Sequence, residues 1–237
     1  MKKILLFICA VFVLTVAQAQ GFAMGIKGGG TVGFQQWNGF GEKDPLFGYH
    51  GALSIETLEE DNAFAIYSQL GYHQRGSANR YTNIQVFGTT NFVSFTDQFV
   101  FNNLSLQLGG KKKMDYNDMK VFYAFGVRGD MNLSTNLEAL AMQGNNLVYP
   151  DDFYVRRFTY GMTIGGGFEK MFSDLVGATV ELSFSPDFNN QYQQPPIPNV
   201  TNPFTGNSYT IPENNIKNYT LELTIGLRLL RVVEYID

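Results

Sequence analysis

The chain has 237 residues, of which 16% are charged, and its formal net charge is −4 at neutral pH. This acidic balance argues against nucleic acid as a partner, which would require a basic surface. With one cysteine, Cys9, and two histidines, the chain has no disulfide framework and too few ligands for a typical zinc site.

The N-terminal residues have the pattern of a signal peptide. A basic start, Met1 to Lys3, precedes an apolar run over 4–16 that is interrupted only by Thr15. Small residues at Ala17 and Ala19 then match a signal-peptidase site, with cleavage expected before Gln20. The run is too short to span a membrane as a helix, which needs ~20 residues. We therefore predict a signal peptide over 1–19 and one domain over 20–237, with 15 basic and 21 acidic residues and no cysteine.

The composition of that domain favours strands over helices. In the whole chain tyrosine and phenylalanine together number 34 and glycine 25, yet no stretch after the predicted signal peptide is apolar enough for a membrane-spanning helix. Aromatic and glycine-rich chains with alternating hydrophobicity are typical of transmembrane β-barrels.

Apolar and polar positions alternate in eight successive segments. In the first segment the even positions, including Met24 and Ile26, are apolar, while Lys27 falls among the odd ones. In the last segment Leu221, Leu223 and Ile225 alternate with polar residues in the same way. Because successive side chains of a strand point to opposite faces, each segment predicts a strand with one apolar face. The predicted strands are 22–34, 47–58, 63–75, 99–111, 120–132, 157–170, 175–185 and 216–231.

The connections alternate between long and short. The long ones are predicted at 35–46, 76–98, 133–155 and 186–215, and the short ones at 59–62, 112–118 and 171–174. Within the long ones, 84–95 reads as a strand extension or a hairpin, and 135–142 as a short helix. The rhythm predicts an all-β fold: a closed, eight-stranded antiparallel outer-membrane β-barrel with four long extracellular loops and short periplasmic turns.

Charged residues within the strands fall on the inward face of this barrel. Eight strands leave an interior that side chains just fill, so an open pore is not expected. Either the charges form a proton path or a pair of catalytic carboxylates, or they form ion pairs that fill the lumen; we favour the second reading because charges away from water need partners. The predicted lumen charge network comprises Lys27, Glu56, Arg128, Asp130, Glu169, Glu181, Glu222 and Arg228.

The sequence contains no catalytic motif. Neither His50 nor His73 is followed two residues later by a serine or threonine, and no Gly-x-Ser-x-Gly motif is present. The acidic clusters Asp151-Asp152 and Glu59-Glu60-Asp61 are interpreted as solvated loop or turn residues rather than a metal site, since the second lacks the full ligand spacing of a calcium loop. We predict no enzyme activity, no catalytic residues, no metal and no cofactor.

Three short segments give the chain a resemblance to a known family. They are the leader ending in Ala17-Gln18-Ala19-Gln20, the first strand with Gly25-Ile26-Lys27-Gly28-Gly29-Gly30, and the closing strand with Leu223-Thr224-Ile225-Gly226-Leu227-Arg228. In these the chain resembles the small outer-membrane β-barrels of Bacteroidota that are called porin-family or PorT-like. The resemblance implies outer-membrane residence, and PorT itself belongs to a protein-secretion apparatus.

The resulting expectation is an exported outer-membrane protein with a structural or surface-binding role, performed by its long loops. Alternatives are an accessory of a secretion apparatus, a narrow porin, an enzyme acting on lipid A or peptide, and a soluble lipocalin-like barrel. The expected partners are outer-membrane lipid or lipopolysaccharide, the barrel-assembly machinery and other envelope proteins.

Overall fold

The structure is a computed structural model that describes residues 21–38, 43–57, 64–85, 92–143, 151–201 and 205–232. The predicted signal peptide lies outside these residues. The described elements, in chain order, are the strands β1 (Gly21–Trp37), β2 (Asp44–Thr57), β3 (Phe64–Gln85), β4 (Phe92–Tyr116) and β5 (Met119–Thr135), the helix α1 (Leu137–Gln143), a 3-10 turn (Asp152–Tyr154), and the strands β6 (Phe158–Met171), β7 (Val176–Pro186), β8 (Tyr192–Gln194), β9 (Ile197–Thr201), β10 (Ser208–Ile211) and β11 (Asn214–Val232).

Eight of the strands form a closed antiparallel ring. Strands β1 to β7 pair in sequence order, β7 pairs with β11, and β11 pairs back with β1. The closing seam runs over the whole of β1, from Gly21 opposite Val232 to Trp37 opposite Ile216. This confirms the predicted eight-stranded closed barrel. The short β8 extends the sheet beyond the end of β7 by pairing with β11, while β9 and β10 form a separate hairpin.

The two ends of the ring differ. We call the end with connections 38–43, 86–91, 136–157 and 187–213 the loop end, and the end with connections 58–63, 117–118 and 172–175 the turn end. The first and last barrel strands begin and finish at the turn end. The loop end has a small apolar core, which we call the cap, made of Trp37, Phe99, Phe101, Leu137, Tyr192 and Ile216, with Leu140, Tyr154 and Val155 packed against it.

The barrel wall is apolar outside and polar inside. On β1, Ile26 is 62% exposed whereas its neighbour Lys27 is 9% exposed. The same alternation exposes Leu53 on β2, Val127 on β5 and Ile225 on β11. A soluble β-barrel has the opposite arrangement, because water is then outside and the apolar side chains pack within. No helix among the described residues is long and apolar enough to cross a membrane.

Two of the four expected long loops are shorter than predicted. Strand β1 continues to Trp37 and β2 begins at Asp44, so that the first connection is only 38–43 rather than 35–46. The β3–β4 ladder likewise extends to Gln85 opposite Phe92, which resolves 84–95 as strand extension on both sides of 86–91. The outward face of these extensions is no longer apolar, although the backbone pairing continues. The alternation of apolar and polar residues therefore does not predict them. The predicted short helix is confirmed as α1.

A glycine pair in β1 provides a test of the closing seam. A β carbon at Gly29 would overlap the carbonyl oxygen of Leu223 on β11, whereas one at Gly30 would have no neighbour closer than 3.9 Å. We expect Gly29→Val to destabilise the barrel by about 1–3 kcal/mol or more, as overpacking typically does, and Gly30→Val to be tolerated. Heat-modifiable migration of the folded form on a gel measures both, and equal behaviour of the two variants would contradict the close packing of this seam.

Candidate functional site: the charged barrel interior

The interior of the barrel carries a balanced set of buried charges. Because inward positions recur every second residue along each strand, they form layers across the lumen. Six basic and six acidic side chains of the described strands and rim lie in these layers: Lys27, Arg75, Lys111, Lys113, Arg128, Arg228, Glu56, Asp130, Glu169, Glu181, Asp187 and Glu222. Each charge therefore has opposite charges nearby, as burial requires.

The layer nearest the loop end contains two arginines and two aspartates. Arg75 lies 2.7 Å from Asp130 and 3.5 Å from Asp187. Arg128 lies 2.8 Å from the same oxygen of Asp130 and also contacts Asp187. Asn218 donates to Asp187 over 3.0 Å. The side chains of Arg75 and both aspartates are fully shielded from solvent, so this layer lies in the interior of the barrel.

The next layer contains both histidines. His73 Nδ1 lies 2.7 Å from Glu222, and the two imidazole rings stack with centroids 5.4 Å apart. His50 Nε2 lies 2.9 Å from the hydroxyl oxygen of Thr224. A hydroxyl beside an imidazole is the arrangement of an activated nucleophile. Here, however, His50 is only 5% exposed and lies between the ion-pair layers, so the described structure offers a substrate no route to it.

Two further layers lie toward the turn end. In the first, the Lys27 ammonium lies 3.0 Å from Glu181 and donates to Gln69 over 3.2 Å.

The last layer has two carboxylates shared among three cations. Glu56 lies 3.1 Å from Lys111 and 3.2 Å from Arg228, and it also contacts Lys113. Glu169 lies 3.0 Å from Lys113 and contacts Arg228 as well.

The structure places all eight predicted network residues inside the barrel and distributes them over four layers. Sequence reasoning missed Arg75, Lys111, Lys113 and Asp187. Arg75 and Lys111 were the last residues of predicted strands, while Lys113 and Asp187 were assigned to connections. Continuing the two-residue alternation past each predicted end would have identified both residues, because Lys113 follows the buried Lys111 and Asp187 follows the buried Ser185.

The cap covers the interior at the loop end. Trp37 packs edge-on against Phe99 with ring centroids 4.9 Å apart, and the Lys43 ammonium lies 4.5 Å from the Trp37 ring centre. Below this contact, Gln35 accepts hydrogen bonds from Trp37 Nε1 at 3.1 Å and from Ser77 at 2.6 Å. Burial raises the pKa of Tyr192 to about 12, which keeps its hydroxyl neutral.

Among the described residues, no group of three or more His, Cys, Asp or Glu side chains is placed to hold a metal ion. The interior is organised as layers of buried ion pairs. Such an arrangement can fill and stabilise a narrow lumen, and it leaves the loop surface and the turn-end opening as the places where another molecule has access.

The polarity and closure together define the class of fold: an eight-stranded antiparallel β-barrel of the outer-membrane type. No family model and no curated protein matches the sequence.

Among solved structures, Neisserial surface protein A is similar, with 9% identity over 89% of this chain and 97% of that chain and a TM-score of 0.47. The attachment invasion locus protein Ail of Yersinia pestis, in complex with a heparin analogue, has 11% identity over 88% and 99% and a TM-score of 0.39. The outer membrane protease OmpT of Escherichia coli has 9% identity over 90% and 98% and a TM-score of 0.44. At such scores the strand pairing of the chain itself is what establishes the fold.

The loop-end layer provides a second test. Replacing Asp130 with alanine would leave Arg75 and Arg128 buried with only Asp187 to share, and breaking a buried pair costs about 3–5 kcal/mol. We expect that loss in the free energy of unfolding, measured by denaturant titration with Trp37 fluorescence.

The matched control is Asp44→Ala. Asp44 lies 3.3 Å from Arg80 in an exposed pair, which typically contributes less than about 1 kcal/mol. Similar losses for the two variants would show that the interior pairs contribute no more than surface ones.

Proposed function

We propose that this chain is an outer-membrane β-barrel with a closed lumen, whose function is non-enzymatic recognition at the loop end. The observation on which this depends is the cap. It joins α1, the 3-10 turn and β8 to the barrel mouth, directly above a lumen that is crossed by buried ion pairs.

Membrane residence is supported by the inverted polarity of the wall. A charged side chain facing lipid near the midplane costs ~2–4 kcal/mol, and the charges of the barrel strands are turned inward at this level. In lipid every backbone N–H and C=O also needs a partner within the protein, which a closed ring supplies. Export by a signal peptide over 1–19 and insertion by the barrel-assembly machinery are part of this proposal.

A recognition role is supported by the way the long connections are held. Tyr154 packs edge-on against Tyr192 with centroids 6.0 Å apart, and Val155 forms a β-bridge with Tyr192. The backbone N–H of Arg156 also donates to the carbonyl of Gln191 over 2.8 Å. These contacts tie connection 136–157 to connection 187–213. A surface that is ordered before binding loses less entropy when a partner binds.

The tied loops present specific groups to the outside. Phe153 is 84% exposed at the 3-10 turn, and Tyr209 is 42% exposed on the β9–β10 hairpin. Exposed aromatic side chains on a rigid support are common anchors in protein interfaces. An envelope protein or a surface glycan outside the cell is the kind of partner that this surface would meet.

The resemblance to PorT-like proteins supports a second proposal, an accessory role in a secretion apparatus. That role would also use the loop surface or the turn end for a protein partner. A porin role has less support, since an open path would have to pass both the cap and the Arg75–Asp130 layer.

Conductance tests the closed lumen. We expect the purified protein, inserted into a planar lipid bilayer, to show no resolved single-channel steps in molar salt, because the ion-pair layers and the cap obstruct the path. A porin inserted in the same experiment serves as the positive control. Steps of constant size that scale with salt concentration would refute a closed lumen and favour the porin alternative.

Single-cysteine labelling tests the orientation. The only cysteine of the chain, Cys9, lies in the predicted signal peptide. An introduced cysteine is therefore the only residue of the mature protein that a maleimide would label. We expect Asn207→Cys, in the loop between β9 and β10, to react with a membrane-impermeant maleimide on intact cells, and Asp118→Cys, in a turn-end connection, to react only after lysis. Labelling of both or neither on intact cells, with full labelling in detergent, would contradict outer-membrane insertion in this direction.

A further inference from the structure

The turn end of the barrel contains a cavity of about 130 Å³. Lys113, Arg228, Glu56 and Glu169 lie at its charged side, and it is bordered by apolar side chains from the strand ends, namely Phe64, Met171 and Leu230. A cavity needs a volume of only roughly 10–15 Å³ to hold one water molecule. This cavity is several times larger, so a phosphate or carboxylate group can enter it. Among the described residues the cavity lies at the turn end, and the cap lies at the opposite end of the barrel.

The ion-pair layer that adjoins this cavity has more cations than carboxylates. Lys111, Lys113 and Arg228 are shared between two carboxylates, and Glu56 contacts all three cations. The carboxylates are therefore heavily engaged, while the cations retain donors. An ammonium has three donors and a guanidinium five. Within the described structure, Arg228 Nε has no hydrogen-bond partner.

The carboxylate that balances this excess lies far away. The interior as a whole is neutral, but the remaining acidic group is Glu222, which is bonded to His73. Glu222 lies six residues before Arg228 on β11, roughly 20 Å along the strand at about 3.3 Å per residue. Because the Coulomb energy falls inversely with distance, its attraction is about one fifth of that of a charge at 4 Å. The turn-end cluster therefore keeps a local positive charge.

We propose that this cavity is a binding site for an oxyanion group, either a phosphate or a carboxylate, held by Lys113 and Arg228. Charge-assisted hydrogen bonds from these two side chains would supply the affinity. The apolar border favours a ligand with an apolar part next to its charged group. Lys120 also lines the cavity, but its 39% exposed side chain lies 3.7 Å from Asp115, so that its charge is partly balanced there. This site is separate from the proposed recognition surface, which lies at the loop end.

The oxyanion has two possible sources, a separate molecule or this chain. Thr57 lines the cavity, and the residues that follow it, 58–63, lie outside the described range. They include Glu59, Glu60 and Asp61. The experiment therefore needs one arm with these carboxylates removed.

The test measures the thermal unfolding midpoint of the full mature protein in detergent. The probes are inorganic phosphate and acetyl-leucine, titrated at constant ionic strength against chloride. A ligand that binds only the folded state raises the midpoint in a saturable way. We expect at least one probe to do so, and Lys113→Gln to weaken its apparent affinity about tenfold or more.

Lys112→Gln is the matched control. Lys112 directly precedes the cavity residue Lys113 in sequence and carries the same charge, but its side chain is exposed on the other face of β4. We expect it to bind the probe as the unmodified protein does. Arg228→Gln is a second variant with the same expected loss as Lys113→Gln, and heat-modifiable migration verifies that each variant is folded.

The variant carrying Glu59→Gln, Glu60→Gln and Asp61→Asn separates the two sources. If only this variant binds a probe, the chain's own carboxylates normally occupy the site; if the unmodified protein binds equally well, the ligand is a separate molecule. The proposal is overturned if neither protein binds either probe, or if Lys112→Gln weakens binding as much as Lys113→Gln does. None of these outcomes depends on conductance or on labelling from outside the cell.

Discussion

Seventeen consecutive residue pairs join β1 to β11, and the other features of the barrel depend on this seam. An open sheet would expose two rows of unpaired backbone groups, which lipid cannot satisfy. With the ring closed, the wall needs nothing from its surroundings except an apolar contact. The seam is closely packed at Gly29, where a β carbon would overlap the carbonyl oxygen of Leu223.

Closure also explains why the protein has two interiors of opposite character. Within the wall the polar side chains point inward, where they satisfy one another as ion pairs. Beyond the wall, at the loop end, Trp37, Phe99 and Tyr192 form an ordinary apolar core. Each arrangement follows from its surroundings. The wall faces an apolar environment and therefore has apolar residues outside, whereas the cap faces water and therefore buries its apolar side chains.

The ends of the lumen are consequently unequal. At the loop end the apolar cap packs above the Arg75–Asp130 layer, whose side chains are shielded from solvent. At the turn end the short connections leave a cavity with more cations than carboxylates. The two ends therefore differ in chemistry, with an apolar cap at one and a charged cavity at the other.

The sequence by itself determined the number of barrel strands, their alternating faces, α1 and the eight inward charges that were named in advance, because the pleat of a strand assigns every second residue to one face. It did not determine where the strands end. The apolar signal disappears beyond the lipid-facing level, while the backbone pairing of β3 and β4 continues. Arg75, Lys113 and Asp187 lie at or beyond the predicted ends and were missed for that reason.

Only the tertiary structure decided which charges meet, since partners such as Lys27 and Glu181 are brought together by ring closure and not by proximity in the chain. The cap likewise draws its side chains from five separate elements, which no local pattern can associate.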